Sequence, residues 1–368
     1  MADMVDWELA VNTATQLVRG GPTVSYEEAA EVVGELRTAA DRAEEQVIRF
    51  TGLSPDTGGL GHAPVRVVDR PAWARANVAG FRAVLTPVAE KLQSVRGGPP
   101  SPLVTAVGSR VTGVQLGGVL AFLASKVLGQ YEVFGGGPGV PGELLLVAPN
   151  VVAAERALAV DPHDFRLWVC LHEVTHRTQF TAVPWLREHF LGEVRAFVDA
   201  SDPDAMRERL QGAISAVASA IRERDTDLSI IDLVQTPAQK AVLDRLTALM
   251  TLVEGHAEYV MDGVGPDVVP TVSTIRARFQ QRRKGVGPVD RVIRRLLGID
   301  VKMRQYAEGN RFVGAVVDQV GMAGFNKVWT SAQTLPSKEE IAAPKAWVAR
   351  VVEAADVADP TNSTEPTE

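Results

Sequence analysis

The sequence predicts a mainly α chain with a small β element near residues 143–148. Three observations carry that expectation. Apolar residues recur at helical spacing along most of the chain, cap signals open one segment after another, and only the run from Glu143 to Ala148 reads clearly as a strand.

Taken in order, Trp7, Ala10, Val11, Ala14, Leu17 and Val18 share a helical period that Gly20-Gly21-Pro22 ends. Ser25 with Glu28 spells a capping box, opening a helix dense in Ala, Glu and Arg that reaches Phe50. Gly, Pro and Asp between Leu53 and His62 read as a loop. Asp69 and Pro71 then cap a helix running toward Lys91, and Arg96-Gly-Gly-Pro-Pro-Ser-Pro stops it. The stretch Val111 to Ser125 is uncharged and glycine-rich between Arg110 and Lys126. It is shorter than the roughly 20 residues of a membrane span, so it reads as buried core.

Gly135-Gly-Gly-Pro-Gly-Val-Pro reads as a connector, Glu143-Leu-Leu-Leu-Val-Ala as the strand, and Asn150 as the cap of a helix over 151–158. Asp161-Pro162 supplies a cap and a first-turn proline for a helix containing Trp168, Leu171, His172 and His176. Pro184 marks a break before Trp185 to Ala200, and Thr236-Pro237 opens a strong helix that ends at Asp262-Gly263. Ala355 to Glu368 is a polar stretch with the composition of a disordered tail. The expected organisation is therefore one domain over residues 1–354, or two closely packed helical lobes, followed by that tail.

Charge and cysteine content narrow the function. With 38 basic and 45 acidic residues the net charge is -7, which offers no general footprint for nucleic acid or an anionic membrane. The acidic start Met1-Ala-Asp-Met-Val-Asp-Trp lacks the pattern of a signal peptide, so the expected location is the cytoplasm. A lone Cys170 excludes an internal disulfide and a multi-cysteine zinc site, leaving His and carboxylates as ligands for any metal. Arg276 to Arg295 is locally basic. It reads either as a solvated helical face with acidic partners in the same chain or as an anionic-ligand site.

Of the six histidines, two flank a glutamate in His172-Glu173-Val174-Thr175-His176, the HExxH pattern. Residues four apart share a helix face, so both imidazoles can reach one ion, and Glu173 beside that face can act as general base on a water held there. A solvated amphipathic helix could spell the same letters. Trp168, Val169, Leu171 and Phe180 around the motif point instead to burial, where unliganded imidazoles and a carboxylate are costly.

A catalytic zinc wants three protein ligands and an open position. The sequence after His176 has no Gly and third His at metzincin spacing, so the third ligand comes from elsewhere. Downstream, Leu252 to Val260 carries Glu254 and Glu258 on one helical face, with His256 about 200° away. Gly255 costs about 1 kcal/mol in mid-helix, and close approach of this helix to the metal helix is the reason expected for it.

Glu254-Gly-His-Ala-Glu-Tyr resembles the glutamate-zincin signature, and the chain resembles the actinobacterial zincin-like family of zinc peptidases, some labelled as associated with deazaflavin coenzyme biosynthesis. Asp6-Trp-Glu-Leu-Ala, Val127-Leu-Gly-Gln-Tyr, Leu145-Leu-Val-Ala-Pro-Asn and Lys302-Met-Arg-Gln-Tyr-Ala-Glu-Gly carry the resemblance alongside the two helices. It implies a zincin-like fold binding Zn2+, with His172, His176 and Glu254 as ligands, Glu173 as base and Glu258 supporting them where an Asp often stands. Glu258 with Asp262 forms a competing register of the same pattern.

Tyr259, Tyr306, Arg304 and His256 are candidate oxyanion donors. Cys170 reads as a buried, inert thiol, and His62, His163 and His189 as loop or surface residues. The expected function is a zinc-dependent hydrolase, a metallopeptidase acting on a peptide or protein, with endopeptidase, aminopeptidase and other amide hydrolysis all open. The alternative is a non-catalytic zinc scaffold that binds a partner or an anionic coenzyme through the basic segment.

Overall fold

The structure, a computed structural model, describes residues 5–55, 63–95, 102–135, 140–200, 236–284 and 299–354. Within these it leaves out the side chains of 88–89, 92–95, 102–106, 282–284 and 299–306. The expected tail, His62 and the part of the basic segment beyond 284 lie outside the described residues.

The chain is mainly helical around a small three-stranded sheet. Helices α1 (Trp7–Leu17) and α2 (Tyr26–Thr51) lead to β1 (Val65–Val68), followed by α3 (Arg70–Val95) and α4 (Pro102–Ala124). Strands β2 (Gly129–Glu132) and β3 (Glu143–Val147) precede α5 (Ala148–Leu158), α6 (Pro162–Ala182) and α7 (Trp185–Asp199). Helices α8 (Pro237–Gly263), α9 (Val272–Lys284) and α10 (Ile299–Phe325) follow, the last interrupted at Gly321 by a φ of 70°. Short α11 (Lys338–Ala342) and α12 (Pro344–Val348) come next.

The caps explain where the helices start. Ser25 Oγ accepts from Glu28 N, Asp69 Oδ1 from Ala72 N and Asp161 Oδ1 from Asp164 N. Thr236 and Gln239 form a reciprocal capping box at α8. Asn150 is a correction: α5 begins at Ala148, where Pro149 presets the first turn, so Asn150 is already inside the helix. Its amide donates to Ala124 O and Val127 O and its carbonyl accepts from Arg70 Nε at 2.6 Å, tying α5 to α3 and to the end of α4.

The strand predicted from sequence is the centre of the sheet. β1 pairs parallel to β3 and β2 pairs antiparallel, in the order β1-β3-β2. Leu144 and Leu146 enter a core with α2, α5 and α6, whereas Leu145 and Val147 enter a second core with Ala14, Trp73 and Leu120. Burial on both faces is why β3 reads as an unbroken apolar run instead of an alternating one. A third core joins α7, α8 and α10 to the C-terminal turns through Leu186, Leu252, Phe312, Val316 and Trp347.

Helix α4 departs from expectation. It packs one face on α1, where a Cβ at Gly113 would fall 2.6 Å from Asp6 O and one at Gly117 2.7 Å from Ala10 O. The other face is open, and only 28% of the Val107–Ala124 window is buried, with Val107, Val111 and Val114 each about half exposed. By length and composition this helix could cross a membrane. The buried-core expectation holds for one face, with Leu120 and Ala124 in the second core, and not for the other, because an uncharged run of Val, Gly and Ala does not encode which side of a helix meets a partner.

Candidate metal centre and active site

Helix α6 carries the HExxH motif, and two buried arginines hold it to α2 on either side of that motif. Arg166 makes a two-point contact with Glu155 at 2.7 and 3.1 Å and also reaches Glu35. Arg177 reaches Glu44 at 3.1 Å and donates to Ala63 O at 3.3 Å. Burial pulls the Arg177 pKa below the usual arginine value against the attraction of Glu44. A register slip of α6 would strand both charges, so the motif's position is over-determined.

His172 and His176 lie one turn apart with ring centroids 4.7 Å apart and nearly perpendicular planes. Their Nε2 atoms are 3.2 Å apart, and Glu254 Oε2 from α8 stands 3.6 Å from the first and 3.4 Å from the second. A tetrahedral zinc with bonds of about 2.0–2.1 Å separates its ligand atoms by about 3.3 Å, so this donor set fits the ion in both spacing and chemistry. Among the described residues, His172, His176 and Glu254 form the group of His, Cys, Asp and Glu side chains able to hold a metal.

Burial opposes charge on His176, but the adjoining Glu254 and then Glu173 outweigh it and raise its pKa. Behind it lies a chain of neutral groups. Gln179 Nε2 donates to Val253 O and to His256 Nδ1, each at 2.9 Å, which turns its Oε1 toward His176 Nδ1 at 3.0 Å. His176 therefore donates from Nδ1 and directs Nε2 toward Glu254 and His172. His256 is fully buried, stacked on Phe325 with centroids 5.3 Å apart, and burial lowers its pKa to about 3, leaving a neutral ring. As an oxyanion donor it is a correction, because it faces Gln179 and not the pocket.

Glu173 is buried and lies against the start of β2, where a Cβ at Gly129 would sit 2.6 Å from Glu173 Cγ. Any side chain at 129 would displace this carboxylate. Glu173, His172, Gly129 and Glu258 line one cavity with an otherwise apolar wall. Glu258 meets Arg276 at 3.3 Å, and Asp262 contacts the same guanidinium. The carboxylate beside the imidazoles is thus Glu254, while Glu258 and Asp262 turn to α9. Burial raises the Asp262 pKa to about 6 although Arg276 pulls it down.

The remaining candidates separate cleanly. Tyr259 packs on Phe50 of α2 with centroids 5.9 Å apart and faces Gly314 of α10, and it is not among the residues that line the cavity. The side chains of Tyr306 and Arg304 lie outside the described residues. Cys170 is buried with its thiol pKa pushed up by burial, and His163 is exposed and contacts Glu35 at 3.2 Å. His189 rests edge-on to Trp185.

Gly255 is a further correction. A Cβ there would lie 2.2 Å from Gly309 C, so the close neighbour is α10 and not the metal helix. In the basic segment, Arg276 binds two carboxylates, and Arg278 donates to the carbonyls of Leu158 and Ala159. Sequence reasoning missed Gln179 and Gly129. The first carries a signal, a glutamine three residues past His176 on the same helix; the second stands within Val127-Leu-Gly-Gln-Tyr, but its role depends on where β2 crosses α6.

The profile of the zincin-like metallopeptidase family matches residues 5–348. A crystal structure from Chloroflexus aurantiacus, provisionally described as a hydrolase with a novel fold, is similar at 29% identity and a TM-score of 0.67. The match covers 94% of this chain and 98% of that one. No curated protein matches. A profile that spans nearly the whole sequence and both helices of the centre places the chain among zinc hydrolases at family level: it belongs to the zincin-like metallopeptidase family.

Proposed function

We propose that the chain is a zinc-dependent peptidase with His172, His176 and Glu254 as metal ligands and Glu173 as general base. The observation that carries this reading is the convergence of the three ligand atoms within 4.8 Å of one another, beside a buried glutamate that faces a cavity. Zinc, when bound, supplies a Lewis acid for the carbonyl under attack and brings a water's pKa toward neutrality. Glu173 takes the proton of the attacking water and later returns it to the leaving amine. Gln179 and His256 keep His176 in one tautomer throughout.

A peptide substrate is favoured by the sheet. β2 is an edge strand and begins at Gly129, against Glu173. An extended chain laid on that edge by main-chain hydrogen bonds would bring a carbonyl to the carboxylate. The scaffold alternative needs free guanidinium groups, and the two arginines of the basic segment whose partners are given among the described residues, Arg276 and Arg278, are engaged within the chain.

Metal analysis and a peptide-library assay on the zinc-loaded protein test the reading. Wild type should hold about one zinc, and Glu173→Gln should keep the metal and lose cleavage by about 10²–10⁴-fold. Absence of zinc would remove the centre, and undiminished cleavage in the variant would remove Glu173 as base.

A further inference from the structure

The cavity beside Glu173 has a volume of about 190 Å³. That is below the roughly 300–1,000 Å³ of a site for a whole small molecule, and suits a single side chain. Its apolar wall comes from Val127, Leu128, Trp168, Val169, Met261 and Phe279. The wall is preformed: Trp168 is buried, stacked on Phe165 at 5.9 Å and met edge-on by Phe279 at 5.3 Å. An aromatic ring held on two sides offers apolar surface at little further cost in order.

Charge in the cavity narrows the occupant. Its carboxylates are Glu173 and Glu258, so an acidic side chain would meet like charge. Glu258 is already paired to Arg276 and Glu173 is committed to the attacking water, so a basic side chain finds neither carboxylate open to it and would have to desolvate against Trp168 and Met261. What remains is a large uncharged side chain. His172 and Glu173 line the same cavity, so the residue that fills it sits next to the bond under attack.

We propose that this cavity is the subsite selecting a bulky apolar residue, Leu, Met or Phe, immediately flanking the scissile bond. The proposal rests on the peptidase reading above and names its substrate class. Relative to Gly at that position, the preference should be about 10- to 100-fold, the range of one buried apolar side chain.

Two measurements on the zinc-loaded full chain test it. In a peptide library read by mass spectrometry, Leu, Met and Phe should be enriched at one flanking position. Cleavage indifferent to both flanking residues overturns the subsite and leaves the peptidase reading standing. Independently of turnover, phenylalanine hydroxamate should bind about 10- to 100-fold more tightly than glycine hydroxamate in calorimetry. Val169→Phe, which fills the cavity, and Phe279→Ala, which removes part of its wall, should each shrink that ratio while zinc content stays at wild type. Equal binding of the two hydroxamates by wild type overturns the proposal even where no bond is cleaved. A retained ratio without any cleavage supports the apolar cavity and sinks the peptidase reading.

Discussion

Behind His176, Gln179 and His256 form a neutral chain buried beyond the reach of water; Glu258, at the cavity wall, shares Arg276 with Asp262 behind it in a cluster that is partly exposed. Both are anchored on α8, within two turns of each other. The first acts through geometry: an amide with one allowed orientation fixes an imidazole tautomer and adds no net charge beside a cation. The second acts through charge and therefore responds to salt and pH. The alignment of His176 with Glu254 is thus independent of solution conditions while the cavity wall stays responsive to them.

The comparison breaks if the neutral chain proves dispensable. Gln179→Leu should weaken zinc binding by about 10- to 100-fold in chelator competition, with the fold retained by circular dichroism. Affinity equal to wild type would mean that the amide merely fills space. A smaller effect is expected on the charged side. Arg276→Ala leaves Glu258 and Asp262 without their shared cation and should cost about 1–3 kcal/mol in urea unfolding at pH 7, less in high salt. Its zinc affinity should stay within about threefold of wild type, and a loss matching that of Gln179→Leu would erase the distinction between the two flanks.

The smallest effect concerns pH. Burial raises the Asp262 pKa from 3.8 to about 6, so the folded chain holds that proton more tightly than the unfolded one. Its contribution to stability is therefore largest below pH 4 and falls as pH rises to about 6. Asp262→Asn should flatten the stability profile across that window. An unaltered slope would assign the pH response to other groups.

Much of the centre was legible in the sequence because local spacing encodes it. His172 and His176 share a face by helix geometry alone, and the residues around Glu254 carry a pattern that needs no tertiary knowledge. Caps at Ser25, Asp69, Asp161 and Thr236 were equally local. What failed was relational. The demand of Gly255 for a close neighbour was readable, but that the neighbour is α10 depends on how three helices cross. The apolar content of α4 was plain, while the side it would bury was decided by glycines meeting α1. Strands β1 and β2, at four residues each, were too short to stand out without the pairing that makes them strands.

The contact between Gly255 and Gly309 bears on how such a protein can change over time. It is backbone against backbone: a Cβ at Gly309 would fall 2.0 Å from Thr251 O, so neither position tolerates a side chain without moving a helix. Residue 254, next to that contact, inherits a mounting that no side-chain exchange can loosen. Residues 258 and 261, on the turns that follow, face the cavity and are free of that constraint. Mutation can therefore reshape what the pocket accepts while the Glu254 carboxylate keeps its place beside the two imidazoles, so that change in the one does not require change in the other.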